Sequence, residues 1–345
     1  MKKAMILLAS LFLSAGTVHA QDLDADTPID ITLSWSQQPQ GWTYPMEIRV
    51  PDEKPPAGGW PVCILLHGAG GNGSQMLNEF GAIIDCHALV GPTGYANTWN
   101  ICQEPSDAPD VQMVSELVER LQAFDNVNPN LIRILGFSNG SALANRVLIE
   151  NDNPGIDSIV GVVSQMTAEQ LQQGTFFAPT ATTDPMSPRC GYTQPASVLS
   201  GRRYLSICNE NDFVIPFFGG PSNVGANFIP AFFAAWEVAR TQGYNGAPQD
   251  GDGEPLGNDV YEYDYLDGDV VLLRGFAGHG MNPTQEAYLV EFLAVNCAPA
   301  ECDGDLNGDA LVNVDDLLEV ISNWSAPWGV DDLLLVISRW GSCAP

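Results

Sequence analysis

The stretch RILGFSNGSALANRV, residues 133 to 147, carries the pattern Gly136-x-Ser138-x-Gly140. A serine hydroxyl is a weak nucleophile until the chain exposes it beside a base. The flanks supply the exposure. LIRILGF before it is a short apolar run of strand type, and SALANRVLIE after it reads as a helix. A strand that turns sharply into a helix at a serine forms a nucleophile elbow, and the two glycines allow the strained turn. The helix N-terminus then favours negative charge beside the hydroxyl. Acyl-transfer chemistry at Ser138 is the expectation, against the plainer alternative of a serine in an ordinary turn.

Such a serine needs a base, and histidine suits the task near neutral pH. The histidines are His19, His67, His87 and His279. Behind an elbow of this kind the acid and then the base follow the nucleophile along the chain. Only His279 follows Ser138, in the glycine-flanked loop GFAGHGMNP. Several aspartates could be the acid by order alone. Asp212 stands out in YLSICNENDFVIPF, where a loop leaves the C-terminal end of a strand. Its role is to hold the imidazole tautomer and stabilise the imidazolium. Glu210 is the runner-up, while Asp250 and Asp252 in PQDGDGE read as solvated loop residues. The oxyanion hole should take one N–H from Asn139 and one from Ala69, in the loop HGAGGNG after the first buried strand. His67 then has a structural part, bonding that loop.

These groups need a scaffold. IDITLSW and YPMEIRVP read as an opening antiparallel pair, and WPVCILLHG as a buried strand. AIIDCHALVGPTG, SIVGVVSQ and RRYLSICN add further strands, and VYEYDYLDGDVVLLRGF reads as two strands about an Asp-Gly turn. Val111, Val114, Leu117, Val118 and Leu121 fall at helical spacing, and AFFAAWEVARTQGY and TQEAYLVEFLAVN read as helices. Alternating strands and helices predict an α/β fold, a mainly parallel sheet with helices on both faces. Residues 166 to 201 show no clear period and suggest a long loop or small cap.

Composition bounds the setting. Lys2 and Lys3 precede the apolar run AMILLASLFL, and TVHA ends in a small residue, so residues 1–20 read as a secretory leader cut after Ala20. No other stretch is long and apolar enough to span a bilayer. The formal net charge is −29, and beyond the leader Lys54 is the one lysine. A surface so acidic repels phosphates and anionic lipid, which argues against nucleic acid as a partner. Eight cysteines in an exported chain suggest disulfides. The trial pairing is Cys86 with Cys102, Cys190 with Cys208 and Cys302 with Cys343, leaving Cys63 as a buried thiol and Cys297 unassigned.

As a set and in this order, LLHGAGGNGSQM, GYANTWNIC, APDVQMVSELV, NVNPNLIRILGFSNGSALANRV, NENDFVIPFFGG and AGHGMNP resemble a secreted esterase family. That family includes feruloyl esterases, acetylxylan esterases and polyhydroxybutyrate depolymerases. The likeness runs from about residue 45 to 296 and implies an α/β-hydrolase fold over 21–298. It also implies that Asp212 is the acid, that Trp99 and Asn100 bind substrate or support the site, and that Asp110 is structural. Ser141 stands where the family often has a second glycine. Cys208-Asn209 replaces the usual His-Gly before the acid loop, and Met281-Asn282-Pro283 the usual Trp-Pro after the base.

The linker APAECDGD opens a second unit, residues 299–345. Asp305, Asn307, Asp309, Leu311 by its carbonyl, Asn313 and Asp316 stand at positions 1, 3, 5, 7, 9 and 12 of a calcium loop. The loop resembles that of a dockerin type I repeat, with Ala310 where glycine is usual. An acidic linker is the alternative. VDDLLEVISNW at 314 recurs as VDDLLLVISRW at 330, without a second calcium loop. The expectation is one structural Ca2+ and a small all-α module whose helices pack through Leu317, Leu318 and Ile321 against Leu333, Leu334 and Ile337. The resemblance implies a cohesin-like partner.

The resulting expectation is a secreted serine esterase acting on feruloyl or acetyl esters of polysaccharides, with no catalytic cofactor. A polyhydroxyalkanoate depolymerase is the neighbouring alternative, and a peptidase a further one. An inert binding or scaffold protein tethered by the tail is the alternative of another class.

Overall fold

The computed structural model describes residues 21–56, 58–180, 183–249, 251–294, 304–306, 311–324 and 328–342. The leader 1–20, Asp250, Cys297, Cys302 and Cys343, and the proposed ligands Asn307 and Asp309, lie outside the described residues.

Nine strands form the central sheet: β1 (Met46–Arg49), β2 (Trp60–Leu66), β3 (Ala88–Pro92), β4 (Val127–Phe137), β5 (Ile156–Val162), β6 (Arg203–Asn209), β7 (Glu254–Gly257), β8 (Val260–Tyr265) and β9 (Val270–Gly275). Their order is β7-β8-β9-β6-β5-β4-β2-β3-β1. The pairs from β9 through β3 are parallel, while β1, β7 and β8 pair antiparallel at the edges. The expected mainly parallel sheet is present.

Alternation along the strands makes two cores. Val62, Ile64 and Leu66 of β2 join one, and Cys63 and Leu65 join the other. Helices α2 (Asp110–Leu121), α3 (Asn139–Glu150) and α4 (Ala231–Thr241) cover the first face. Helices α1 (Gly73–Phe80) and α5 (Pro283–Ala294) cover the second. Burial on both faces explains why the central strands read as continuous apolar runs.

Several expectations need correction. Thr32–Trp35 pairs with Gln38–Thr43 in a separate hairpin, and β1 pairs with β3, so the proposed opening pair does not form. Cys102 is bonded to Cys190 across 88 residues, with Cα atoms 5.4 Å apart, which displaces both trial pairings that used them. Cys86 is disulfide-bonded, but not to Cys102. Cys63 and Cys208 are free and buried, and burial pushes each thiol up to about 12. The Cys102–Cys190 bond anchors the 166–201 segment, which carries a small antiparallel sheet of Leu171–Gln172, Thr175–Pro179 and Tyr192–Ala196. No described helix is long and apolar enough to cross a membrane.

The tail forms helices α6 (Val314–Ser322) and α7 (Val330–Ser338). They pack through Val320 and Val336, with Leu317 and Leu333 alongside. Of the expected face only Leu317 and Leu333 take part: Leu318, Ile321, Leu334 and Ile337 are more than half exposed. Two apolar stripes run side by side on each helix, and only the one through Leu317 and Val320 faces its partner.

Close packing at the elbow supplies a test. A Cβ at Gly140 would lie 2.0 Å from the Leu66 carbonyl oxygen. The oxygen is backbone and the Cβ is fixed by backbone geometry, so neither can swing away. Gly140→Ala should lose about 2–3 kcal/mol of stability, read by denaturant unfolding. A neutral effect would show that α3 and β2 are not so tightly apposed.

Candidate active site

Strand β4 delivers Ser138 to the sheet edge, and α3 starts at the next residue. Ser138 has φ 53° and ψ −115°, a left-handed conformation that side chains rarely adopt. Its N–H donates to the Val162 carbonyl at 2.9 Å, and its carbonyl accepts from Ala142 N at 3.1 Å. The turn is fastened to β5 on one side and to α3 on the other. A Cβ at Gly136 would sit 2.1 Å from the Gly140 carbonyl oxygen, so glycine at both flanks is what lets strand and helix cross. Ser141 fits where the family often has glycine because Gly161 faces it, and its hydroxyl donates to the Ser164 carbonyl at 2.6 Å.

His279 Nε2 lies 2.8 Å from Ser138 Oγ, and His279 Nδ1 lies 2.7 Å from Asp212 Oδ2. A carboxylate can only accept here, so Nδ1 carries the proton and Nε2 is left to accept from the hydroxyl. Asp212 Oδ1 accepts from Val214 N at 2.7 Å and Ile215 N at 3.1 Å, and the side chain is 2% exposed. The expected Ser138, Asp212 and His279 thus meet in one hydrogen-bonded chain. Glu210 is turned away onto Arg274, where Asp252 also pairs at 2.8 Å.

Asn209 positions the base, a part the sequence reading missed. Its Nδ2 donates to the carbonyls of Gly278 at 2.9 Å and Gly280 at 2.8 Å, the two neighbours of His279. Its Oδ1 accepts from Ala277 N at 3.1 Å and from Gln285 Nε2 at 3.0 Å. Asn211 repeats the clamp outside, donating to the Phe276 carbonyl and accepting from Gly278 N. Asn282 caps α5, accepting from Thr284 N and Gln285 N, which fixes Gln285 in turn. Two of the departures from the family pattern are therefore used here as loop fasteners.

The other wall is the loop after β2 with the segment 98–105. His67 Nδ1 donates to the Gly68 carbonyl at 2.7 Å, and Nε2 accepts from Gly94 N at 3.0 Å. Burial holds its pKa below the usual histidine value, so the ring stays neutral and structural, as expected. Gly68 brings the loop against Phe137 and Ser138, and Ala69 and Asn139 line the cavity beside the serine. Asn139 Oδ1 accepts from Trp99 N at 2.7 Å, and its Nδ2 donates to Glu104 Oε1 at 3.3 Å. Glu104 Oε2 in turn accepts from Ile101 N and Cys102 N.

Trp99 and Asn100, expected to bind substrate or support the site, stand behind this wall. They are 0% and 3% exposed, and neither lines the cavity. Trp99 Nε1 donates to the His67 carbonyl at 2.7 Å, and its ring lies 4.6 Å from the imidazole. Asn100 N donates to Asp110 Oδ2 at 2.7 Å, and Asp110 Oδ1 accepts from Tyr44 OH at 3.0 Å. Asp110 is wholly buried, which pushes its carboxyl up to about 7 against the lowering by those donors and by Arg146.

The cavity beside Ser138 holds about 210 Å³. Its lining is mostly apolar, with Ile101, Pro105, Ala142, Ile215 and Phe228 among the contacts. Among the described residues no group of three or more His, Cys, Asp or Glu is placed to hold a metal ion. The arrangement can remove a proton from Ser138, and it sets an apolar recess beside the oxygen that would then attack.

No family model matches the chain. A protein of Nocardia uniformis subsp. tsuyamanensis, described as "Putative esterase NocK", is 30% identical over 127 residues, covering 34% of this chain and 37% of that protein. The chain therefore matches little more than a third of that relative's length. Among solved structures, a Bacillus cereus carboxylesterase covers 74% of this chain and 95% of its own at 13% identity, with a TM-score of 0.44. An acetyl xylan esterase from Aspergillus awamori covers 72% and 93% at 11% identity, with a TM-score of 0.46.

Asp110 supplies a pH test. Its folded value of about 7 lies above the ordinary aspartate value of 3.8. The folded state then holds a proton that the unfolded chain has released, so stability falls as pH rises between about 4 and about 7. Asp110→Asn lacks this term. Its melting temperature should gain on the wild type as pH rises across that window, and parallel curves would mean that burial does not hold the proton.

Proposed function

We propose that the chain is a secreted serine esterase. The single observation that carries this reading is the hydrogen-bonded chain from Ser138 through His279 to Asp212 at a strained elbow. His279 takes the hydroxyl proton as Ser138 Oγ attacks an ester carbonyl. The developing oxyanion is received by the N–H groups of Asn139 and Ala69. His279 then returns the proton to the leaving alcohol, and water, activated by the same imidazole, hydrolyses the acyl-enzyme. Asp212 holds the tautomer throughout and stabilises the imidazolium. Proton transfer within one chain needs no catalytic cofactor. The apolar recess supports an uncharged acyl group, and the proposed substrates are feruloyl or acetyl esters on polysaccharides. Export is supported by the leader and by the Cys102–Cys190 disulfide.

The tail is proposed to bind one Ca2+ through Asp305, Asn307, Asp309, the Leu311 carbonyl, Asn313 and Asp316. The donor set is all oxygen, as calcium prefers. Asp316 Oδ1 accepts from Leu306 N at 2.7 Å, and Oδ2 from Asn313 N at 2.9 Å. The last ligand position is thereby drawn beside the first, and carboxylate oxygens keep lone pairs for a cation. A cohesin-like partner is proposed for the exposed stripes. Val314, Leu318, Ile321 and Trp324 are matched by Val330, Leu334, Ile337 and Trp340, each about half exposed.

Ser138→Ala should lower kcat for p-nitrophenyl acetate by about 10⁴-fold or more while leaving the circular dichroism spectrum intact. His279→Ala should do nearly the same, and Asp212→Asn should cost less because the base remains. Turnover near wild type in Ser138→Ala would sink the esterase reading. For the tail, calorimetry on the full chain should show one calcium site, absent after Asp305→Ala with Asp309→Ala, with ester hydrolysis unchanged. No calcium uptake would favour an acidic linker.

A further inference from the structure

Strands Gly220–Pro221 and Asn227–Phe228 pair as a short hairpin whose tip, residues 222–226, lines the cavity through Val224 and Ala226. The tip is a tight turn: Ser222 N and Ser222 Oγ both donate to the Ala226 carbonyl, at 3.0 and 2.7 Å. It is tied down on two sides. Gln103 Nε2 donates to the Gly225 carbonyl at 3.3 Å, from the segment that supports Asn139. Asn223 Nδ2 donates to the Phe213 carbonyl at 2.8 Å, one residue beyond Asp212. Gly225 has φ +82°, and a Cβ there would lie 2.6 Å from Gln103 Oε1, so the turn needs glycine to keep the first tie.

Val224 at the apex lines the cavity beside Ser138 and also a second chamber of about 40 Å³. The chamber is floored by Cys102, Cys190 and Tyr192, and so by the disulfide. Ile101, Gln103, Glu104, Thr167, Val224 and Ala226 line both spaces and form the wall between them. The floor is fixed by a covalent bond and by Tyr192 OH donating to the Ile101 carbonyl at 3.0 Å. The Val224 side is fixed only by hydrogen bonds and is 52% exposed. An apolar side chain left half in water at the rim of an apolar recess gains contact when an acyl group fills that recess.

We propose that Val224, held by its two tethers, is the stop that sets acyl length at this site: it confines the bound acyl group to the recess beside Ser138 and shuts it out of the chamber behind. This rests on the reading of Ser138 as the nucleophile. The substrate class that follows is esters of short uncharged carboxylic acids, which selects the acetyl over the feruloyl esters proposed above. Longer chains are refused because the wall meets them before the carbonyl reaches Ser138.

The test is kcat/KM for p-nitrophenyl acetate, butyrate, hexanoate and octanoate, measured on the full chain. Val224→Ala joins the two spaces and should raise the octanoate-to-acetate ratio about tenfold. Gln103→Ala loosens one tether and should move the ratio the same way by less. Val224→Leu enlarges the stop and should lower the butyrate-to-acetate ratio, a shift that misfolding cannot mimic. Ser138→Ala runs beside them. If it abolishes turnover and both Val224 variants keep the wild-type ratios, the length-stop proposal is overturned alone. If turnover survives in Ser138→Ala, the esterase reading falls and takes this proposal with it.

Discussion

The structure depends on one crossing, where β4 ends, Ser138 turns and α3 begins against β2. A Cβ at Gly140 would meet backbone of Leu66 and His67, and a Cβ at Gly136 would meet backbone of Gly140. Only at that spacing does Ser138 hold φ 53°, at a cost of about 1–3 kcal/mol. The strain is offset by the surrounding sheet, where β2, β4 and β5 lie buried in parallel register. In return the hydroxyl stands clear of its own helix and can be met by a histidine 141 residues away.

Everything else in the site answers the problem of holding loops still. The acid loop is fixed because Asp212 accepts two amides of its own turn. The base loop is fixed from below by Asn209 and from outside by Asn211. Asn139 is fixed by Trp99 and Glu104, and Trp99 by its bond to the His67 carbonyl. Apart from Glu104, each fastener is a neutral amide, an indole or a buried ring. That choice avoids adding charge beside Asp212 and His279 in a protein that already carries −29.

Much of this was legible in the sequence because its cause is local or ordinal. Gly136-x-Ser138-x-Gly140 between an apolar run and a helix announces a crossing, and chain order singles out His279. Asn209 was not legible, since its value lies in contacts with Gly278 and Gly280 about 70 residues on, and nothing local marks an asparagine as a clamp. The disulfides were illegible for the combinatorial reason that spacing does not fix pairing. Trp99 and Asn100 were placed near the site by resemblance, but whether a side chain faces a cavity or a core depends on packing. The tail helices show the same limit: Leu317, Leu318, Val320 and Ile321 all suit an apolar face, and only the partner helix selects among them.

The central claim is that Ser138 is made nucleophilic by this crossing and by His279. Covalent labelling with a fluorophosphonate, followed by peptide mass mapping, tests it most directly. The account predicts one label per chain, on Ser138, absent in Ser138→Ala and greatly slowed in His279→Ala. A protein that hydrolyses esters yet takes the label on another residue, or takes none, would contradict it.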